Sequence, residues 1–378
     1  MPDGTLHPGR SAGTIEAVDA TPLWWPPVDP ETQRELVAFL TERGVDPDVI
    51  AEGITEASLW ELTTESLLAT RDDLTADELG AHAGLTPEQL RRVHRALGLR
   101  DDSYSSDDVV IATTGAEAIK LFGDEDVALR LLRVIGSSIR RIAEASVAAY
   151  IAGVEKPLVD ADASVLAHAQ AQAVAIDGGR RMSQAFPHLF TRHLRDVIRR
   201  GRASRAFTND YTTARLAVGF VDLVGFTSLA QELTPAGLSG LLDDFEDRSF
   251  DTVAEHGGQL VKHIGDEIMF VVLEAEAACD IALSLVDAFR AEDATVTPRG
   301  GIAIGDLLTR DGDYYGVEVN LAARLADIAV PQEILVSADT KRLAEKDDVD
   351  HAFAFEPAGR RALKGFAIPV EVFSLSRA

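Results

Sequence analysis

The sequence has a single cysteine, Cys279, so no disulfide can form within one chain. No stretch approaches the roughly 18 consecutive apolar residues of a membrane helix. The first ten residues, Met1-Pro-Asp-Gly-Thr-Leu-His-Pro-Gly-Arg10, lack the apolar core of a signal peptide. Basic residues are scarce: 36 Lys and Arg stand against 62 Asp and Glu, a formal net charge of −26. That balance disfavours nonspecific binding to DNA or anionic lipid, which requires a basic surface. A nucleotide is not excluded, because it needs only local cations and a metal. Internal repeats and low-complexity tracts are also lacking. What is present is a chain of 378 residues, 46% of them apolar, which suffices for two packed domains. A soluble, cytoplasmic protein is expected.

Residues 1–30 are rich in Pro, Gly and Thr and read as an arm, with Trp24-Trp25-Pro26-Pro27 expected to pack on another surface. Residues 31–206 read as a helical regulatory and dimerisation domain that ends in a linker helix. Within it, Leu74 to Gly98 has the form of a helix, a turn at Gly84 and a second helix from Thr86-Pro87. Arg91, Arg92, Arg95 and Arg100 on that segment could contact phosphates, as in a DNA-binding regulator. The surrounding acidic residues favour a plain helical pair. Val127 to Ile151 reads as one long helix with Leu131, Leu132, Ile135, Ile139, Ile142 and Val147 as its apolar stripe. An alanine- and leucine-rich domain of this kind could also enclose an apolar or lipid ligand.

From about residue 207 strands and helices alternate. The order β-α-β-β-α-β is that of a ferredoxin-like, split βαβ domain, so the fold class is α+β with an all-helical N-terminal part. Leu216-Ala-Val-Gly-Phe-Val-Asp-Leu-Val-Gly-Phe-Thr-Ser228 begins as a buried strand and places Asp222 at its end. Gly225 permits a tight turn, and Thr227 or Ser228 can cap the helix that follows. A strand-end carboxylate beside a helix N-terminus suits a hard cation and a phosphate. Gln259 to Phe270 reads as a hairpin with Asp266 at its tip, beside the first strand. Two carboxylates converging there suit two Mg²⁺ or Mn²⁺ ions for in-line attack at phosphorus. In Asp311 to Leu325, Asn320 and Arg324 are four apart on one helix face, and Asp313 sits just before that helix. Taken singly, these residues read better as a turn aspartate, a capping asparagine and a surface arginine.

Together, Phe220-Val-Asp-Leu-Val-Gly-Phe-Thr227, Lys262-His-Ile-Gly-Asp-Glu267, Gly316-Val-Glu-Val-Asn-Leu-Ala-Ala-Arg324 and Leu363-Lys-Gly365 resemble the catalytic domain of the class III nucleotidyl cyclases, over about residues 214–375. The resemblance implies an adenylyl cyclase that forms cyclic AMP and pyrophosphate from ATP. It implies that Asp222 and Asp266 hold two divalent metal ions, Mg²⁺ or Mn²⁺. Lys262 and Asp313 would read the base, Asn320 would orient the ribose, and Arg324 would stabilise the transition state. Lys364 would contact the triphosphate, with Phe226 and Thr227 also at the substrate. It implies a homodimer in which each site draws residues from both catalytic domains. The full architecture resembles the soluble mycobacterial-type adenylyl cyclases with an N-terminal autoregulatory domain, one of which is pH-responsive. His168, His188, His193 and His263 are accordingly the candidates for a response to pH. A diguanylate cyclase or polymerase-palm enzyme shares the split βαβ core, but leaves Asn320 and Arg324 without a role.

Overall fold

The computed structural model describes residues 29–55, 67–68, 72–100, 104–205, 213–289, 296–347 and 351–378. The expected arm, with Trp24 and Trp25, lies outside the described residues except for its last two. The chain divides into two compact units, Met1–Ala185 and Phe186–Ala378.

The first unit is helical. Asp29 accepts from the N–H groups of Glu31 and Thr32 and so starts α1 (Pro30–Glu42), with Pro30 in the first turn where a missing N–H is harmless. Leu36 and Leu40 of α1 pack with Ile50 of α2 (Pro47–Thr55) and with Val165 and Ala169 of α8 (Val165–Ser183). The helix-turn-helix segment is α3 (Ala76–Ala83) and α4 (Pro87–Leu97), each opened by a capping box, Thr75 with Glu78 and Thr86 with Gln89. Leu90 and Val93 of α4 are buried against Ala112 of α5 (Ser106–Phe122) and Leu129 and Leu132 of α6 (Glu125–Tyr150). Arg92 is committed to Glu125 at 2.6 Å and Asp126 at 3.0 Å. Tertiary packing and these ion pairs make the segment part of a helical core, as its acidic surroundings suggested.

Two features of this unit depart from expectation. Only Leu132 of the expected α6 stripe is buried, while Leu131, Ile135, Ile139, Ile142 and Val147 are all more than 40% exposed. The long helix also does not run straight on. It widens into one π-helical turn at Ile151–Glu155 before the short α7 (Lys156–Asp160). That turn is held by Glu155, which accepts from the Tyr150 hydroxyl at 2.8 Å and lies 3.0 Å from Nδ1 of the buried His168. A cavity of about 590 Å³ in this unit is lined by Ala96, Leu97, Gly98, Ser137 and three arginines, 133, 140 and 141.

The second unit opens with α9 (Phe186–Arg205) and is built on an eight-stranded mixed sheet. Its strands are β3 (Thr213–Val224), β4 (Gln259–Ile264), β5 (Glu267–Val272), β6 (Thr297–Arg310), β7 (Asp313–Tyr315), β8 (Ile334–Ser337), β9 (Phe353–Arg361) and β10 (Val370–Arg377); the two-residue β2 (Tyr104–Ser105) and β1 (Asp72–Leu74) pair in the first unit. The order β4-β5-β3-β6 is the split βαβ arrangement, extended by β8, β10 and β9, with β7 folded back on β6. Thr297–Arg310 is one long strand.

The central β3 is apolar on both faces because both are covered. Val221 and Leu223 meet Phe245 of α11 (Pro235–Glu255) and Ile281 of α12 (Ala275–Ala288). Val218 and Phe220 face Ala322 and Ala326 of α13 (Val317–Ile328). Helix α13 lies close on the sheet because Gly301 has no side chain: a Cβ there would stand 2.2 Å from the Ala322 carbonyl oxygen and 2.4 Å from the Ala326 nitrogen. The remaining helices are α10 (Phe226–Glu232) and α14 (Ala338–Asp347).

Candidate active site

Asp222 sits two residues before the end of β3, on the face that α13 covers. Antiparallel register sets it opposite Glu267 of β5 on one side and Arg299 of β6 on the other. The Asp222 side chain is about 20% exposed and the Arg299 side chain about 25%. Arg299 donates to one carboxylate oxygen, Oδ2, from Nε at 3.0 Å and from Nη2 at 2.8 Å. The other oxygen, Oδ1, carries no hydrogen bond among the described residues. The third donor of the fork, Nη1, reaches the carbonyls of Asp327 at 2.9 Å and Ala329 at 3.1 Å, at the C-terminal end of α13.

The β4–β5 turn brings Asp266 to the same place, with its carbonyl accepting from the Leu223 N–H at 3.2 Å. Burial raises the carboxyl pKa of Asp266, and the Asp222 charge adds to this while Arg299 opposes it. Glu267 is pushed up to about 7, first by burial and then by the charges of Asp222, Asp327 and Asp266. Three carboxylates therefore crowd one end of the sheet with one guanidinium among them. Such a cluster favours a divalent cation, which removes the repulsion that raises these pKa values. The donors are hard oxygens, as Mg²⁺ and Mn²⁺ require. Among the described residues no group of three or more ligating side chains is already arranged around a point, so phosphate and water oxygens must complete any coordination sphere.

Lys262 and Asp313 form a second group. The Lys262 ammonium lies 2.5 Å from Asp313 Oδ2. Asp313 opens β7, and its Oδ1 accepts from the Tyr314 N–H at 2.9 Å. It is thus a strand residue on a hairpin that folds back, where the sequence placed it in the lead-in to the helix. Asn320 is exposed on α13, and Arg324, one turn further on, pairs with Asp327 at 2.6 Å. Lys364 is exposed beside the buried Leu363, which packs against Leu325 and Ala329 of α13. Phe226 is partly buried on the larger core. The Thr227 side chain lies outside what is described. The residue at the N-cap of α10 is Gly225, at φ +92°, not Thr227 or Ser228 as expected.

One protomer therefore gathers Asp222 with Asp266, and Lys262 with Asp313, and leaves Asn320 and Lys364 facing solvent. Of the candidate histidines, His168 is buried, and His188 and His193 are exposed. Arg299 and Glu267 are members of the site that motif reading did not single out. Their signal in the sequence is faint, a lone charge at the start of an otherwise apolar strand, and only the register shows that both charges flank Asp222.

Residues 209–376 match the family described as the adenylate and guanylate cyclase catalytic domain. An uncharacterized protein of Mycobacterium tuberculosis is 32% identical over 92% of this chain and 91% of its own length. The adenylate cyclase of Streptomyces coelicolor is 28% identical over 82% of this chain and 88% of its own. The pH-sensitive adenylate cyclase of M. tuberculosis is 29% identical over 91% and 88%. Among solved structures, the adenylyl cyclase CyaB of P. aeruginosa aligns over 44% of this chain and 96% of its own, with 28% identity and a TM-score of 0.39.

Proposed function

The chain belongs to the class III nucleotidyl cyclases, and we propose that it is an adenylyl cyclase that converts ATP to 3′,5′-cyclic AMP and pyrophosphate as a homodimer. The observation that carries the choice of substrate is the Lys262–Asp313 pair. Adenine presents an acceptor at N1 and a donor at its 6-amino group, which an ammonium and a carboxylate satisfy. Guanine presents a donor at N1 and an acceptor at O6, so the pair in that same orientation, Lys262 on N1 and Asp313 on the 6-substituent, would oppose both.

Asp222, through its free Oδ1, and Asp266 are the residues that would hold two divalent ions. When bound, these ions activate the attacking 3′-oxygen and neutralise the triphosphate. The protein's own groups do the rest. Asn320 orients the ribose, so that the 3′-hydroxyl is held in line with the α-phosphorus. Arg324 leaves Asp327 to meet charge building on the phosphate oxygens. Lys364 binds the triphosphate, with Phe226 and Thr227 at the turn beside it. The exposure of Asn320 and Lys364 in a single protomer supports a site completed by a second copy. Each dimer then has two equivalent sites, with Asp222 and Asp266 from one chain meeting Lys262, Asp313, Asn320 and Arg324 of the other.

The helical unit regulates this reaction, with pH as the signal. Support comes from the buried His168–Glu155 contact, which closes the π-helical turn. Protonation of a histidine there changes the charge at a bend in the backbone.

The test measures cyclic AMP from ATP and cyclic GMP from GTP with Mn²⁺, for the full chain and for Asp222→Ala. Cyclic AMP from the full chain, lost in the variant, is the expected result. No cyclic AMP from the full chain overturns the reading. For the regulation, the pH–activity profile of His168→Gln is expected to flatten, and a profile parallel to that of the unaltered protein sinks the pH reading.

A further inference from the structure

We infer that Arg299 is a positioning residue that couples the two sites of the dimer, by tying the cation-binding carboxylate Asp222 to the helix that carries Asn320 and Arg324. This rests on the reading above, in which Asp222 and Arg324 of one chain serve different sites.

The geometry of the guanidinium is the basis. Its Nε and Nη2 both donate to Asp222 Oδ2, and its Nη1 donates to the Asp327 and Ala329 carbonyls. Those carbonyls belong to the group of C-terminal oxygens that an α-helix cannot satisfy internally, and they lie at the negative end of the helix dipole. One planar cation therefore neutralises a carboxylate and caps a helix together. A guanidinium is rigid, so its donors cannot move independently. A shift of Asp222 turns Nη1 relative to the end of α13, and a shift of that end turns the donors on Asp222. The next link is also in contact. Asp327, whose carbonyl Arg299 holds, pairs through its side chain with Arg324 at 2.6 Å. Four residues thus form one connected path, Asp222 to Arg299 to Asp327 to Arg324.

A cation on Asp222 sets the path in motion. Among the described residues Oδ1 has no partner and can receive it, whereas Oδ2 is held by Arg299. The arriving positive charge draws electron density from the carboxylate and repels the guanidinium. Arg299 then shifts, the cap on α13 changes, and Arg324 follows. Arg299 is the side chain that bonds both Asp222 and the last turn of α13, so replacing it should cut this link without removing either end.

The experiment follows backbone hydrogen exchange of residues 322–330 in the full-length protein, with and without Mn²⁺, alongside Mn²⁺ binding by electron paramagnetic resonance. In the unaltered chain, Mn²⁺ is expected to change exchange at the end of α13 by about twofold or more. In Arg299→Lys, which keeps the charge but lacks the fork, Mn²⁺ should still bind while that response disappears. Arg299→Gln is the second variant, and should give faster exchange that Mn²⁺ leaves unaltered. A purely structural role for Arg299 would raise exchange in both variants yet preserve the Mn²⁺ response, and that outcome overturns the inference. Binding without any response in the unaltered chain overturns it as well. Failure of the unaltered chain to bind Mn²⁺ overturns the functional reading itself, and so separates the two.

Discussion

Lys262 of β4 and Asp313 of β7 stand 51 positions apart in sequence and meet with 2.5 Å between ammonium and carboxylate. No local pattern links them. The β6–β7 hairpin brings Asp313 back to the sheet, and the hairpin at Asp266 sets Lys262 on the strand that it reaches. Lys262→Ala is expected to lower kcat/KM for ATP by about 10²- to 10³-fold, because a buried base edge loses its donor. Initial rates on ATP and GTP measure this. A variant that keeps full preference for ATP would show that the pair does not read the base.

Asp222→Asn keeps the shape of the side chain and removes its charge. Metal-dependent turnover should fall by at least about 10³-fold, since the cation loses a ligand that neutral amide oxygen replaces poorly. The same change weakens two charge-assisted bonds from Arg299, so chemical denaturation should show a loss of about 1–2 kcal/mol.

Glu267 gives the metal-free protein a pH dependence of known sign. Its carboxyl is raised from an ordinary 4.5 to about 7 in the folded state. The folded protein therefore binds this proton more tightly than the unfolded chain does. Its contribution is fully present below pH 4.5 and is lost as pH rises through about 7. Relative to Glu267→Gln, the unaltered protein in a chelator should lose about 1–2 kcal/mol across that window, the full shift being reduced by solvent screening. Thermal melts at stepped pH measure the difference. Added Mn²⁺ should shrink it, because a cation between Asp222 and Asp266 favours the ionised form. Identical slopes for the two proteins would show that Glu267 is not shifted.

Gly301→Val should prevent the second unit from folding, or cost more than about 4 kcal/mol, because the new side chain meets the backbone of α13 within 2.2–2.4 Å. Backbone cannot move aside as a flexible side chain can. Circular dichroism and the yield of soluble protein test this, and a normally folded variant would show that α13 does not lie on β6.

His168→Ala should destabilise the helical unit by about 1–3 kcal/mol, since it removes the partner of Glu155 at 3.0 Å and leaves that largely buried carboxylate with the Tyr150 hydroxyl. His168→Gln, which can still donate to Glu155, should recover most of that loss. Urea titrations compare the two, and equal stability of both variants with the unaltered chain would remove any structural role for the contact.

Much of this protein is determined by its sequence alone. Alternating and continuous apolar runs mark β3, β5 and the helices around them, and the order of those elements identifies the split βαβ core, because burial imposes a period on each element wherever it lies. Capping residues such as Thr75 and Thr86 mark their helices for the same local reason. Asp222 and Asp266 stand out because strand ends and tight turns are where a charge escapes the core, Asn320 and Arg324 because they lie four apart on one helix face, and Lys262 through the family resemblance alone. Tertiary structure alone decided the rest. That Asp222 shares its carboxylate with Arg299, that burial and neighbouring carboxylates raise the pKa of Glu267, and that most of the α6 stripe faces solvent all depend on register and packing between distant segments. The π-helical turn at Ile151–Glu155 belongs with them, held by His168 from another helix. Sequence specifies which residues want burial or charge; only the folded chain specifies which of them share one space, and electrostatics acts through space.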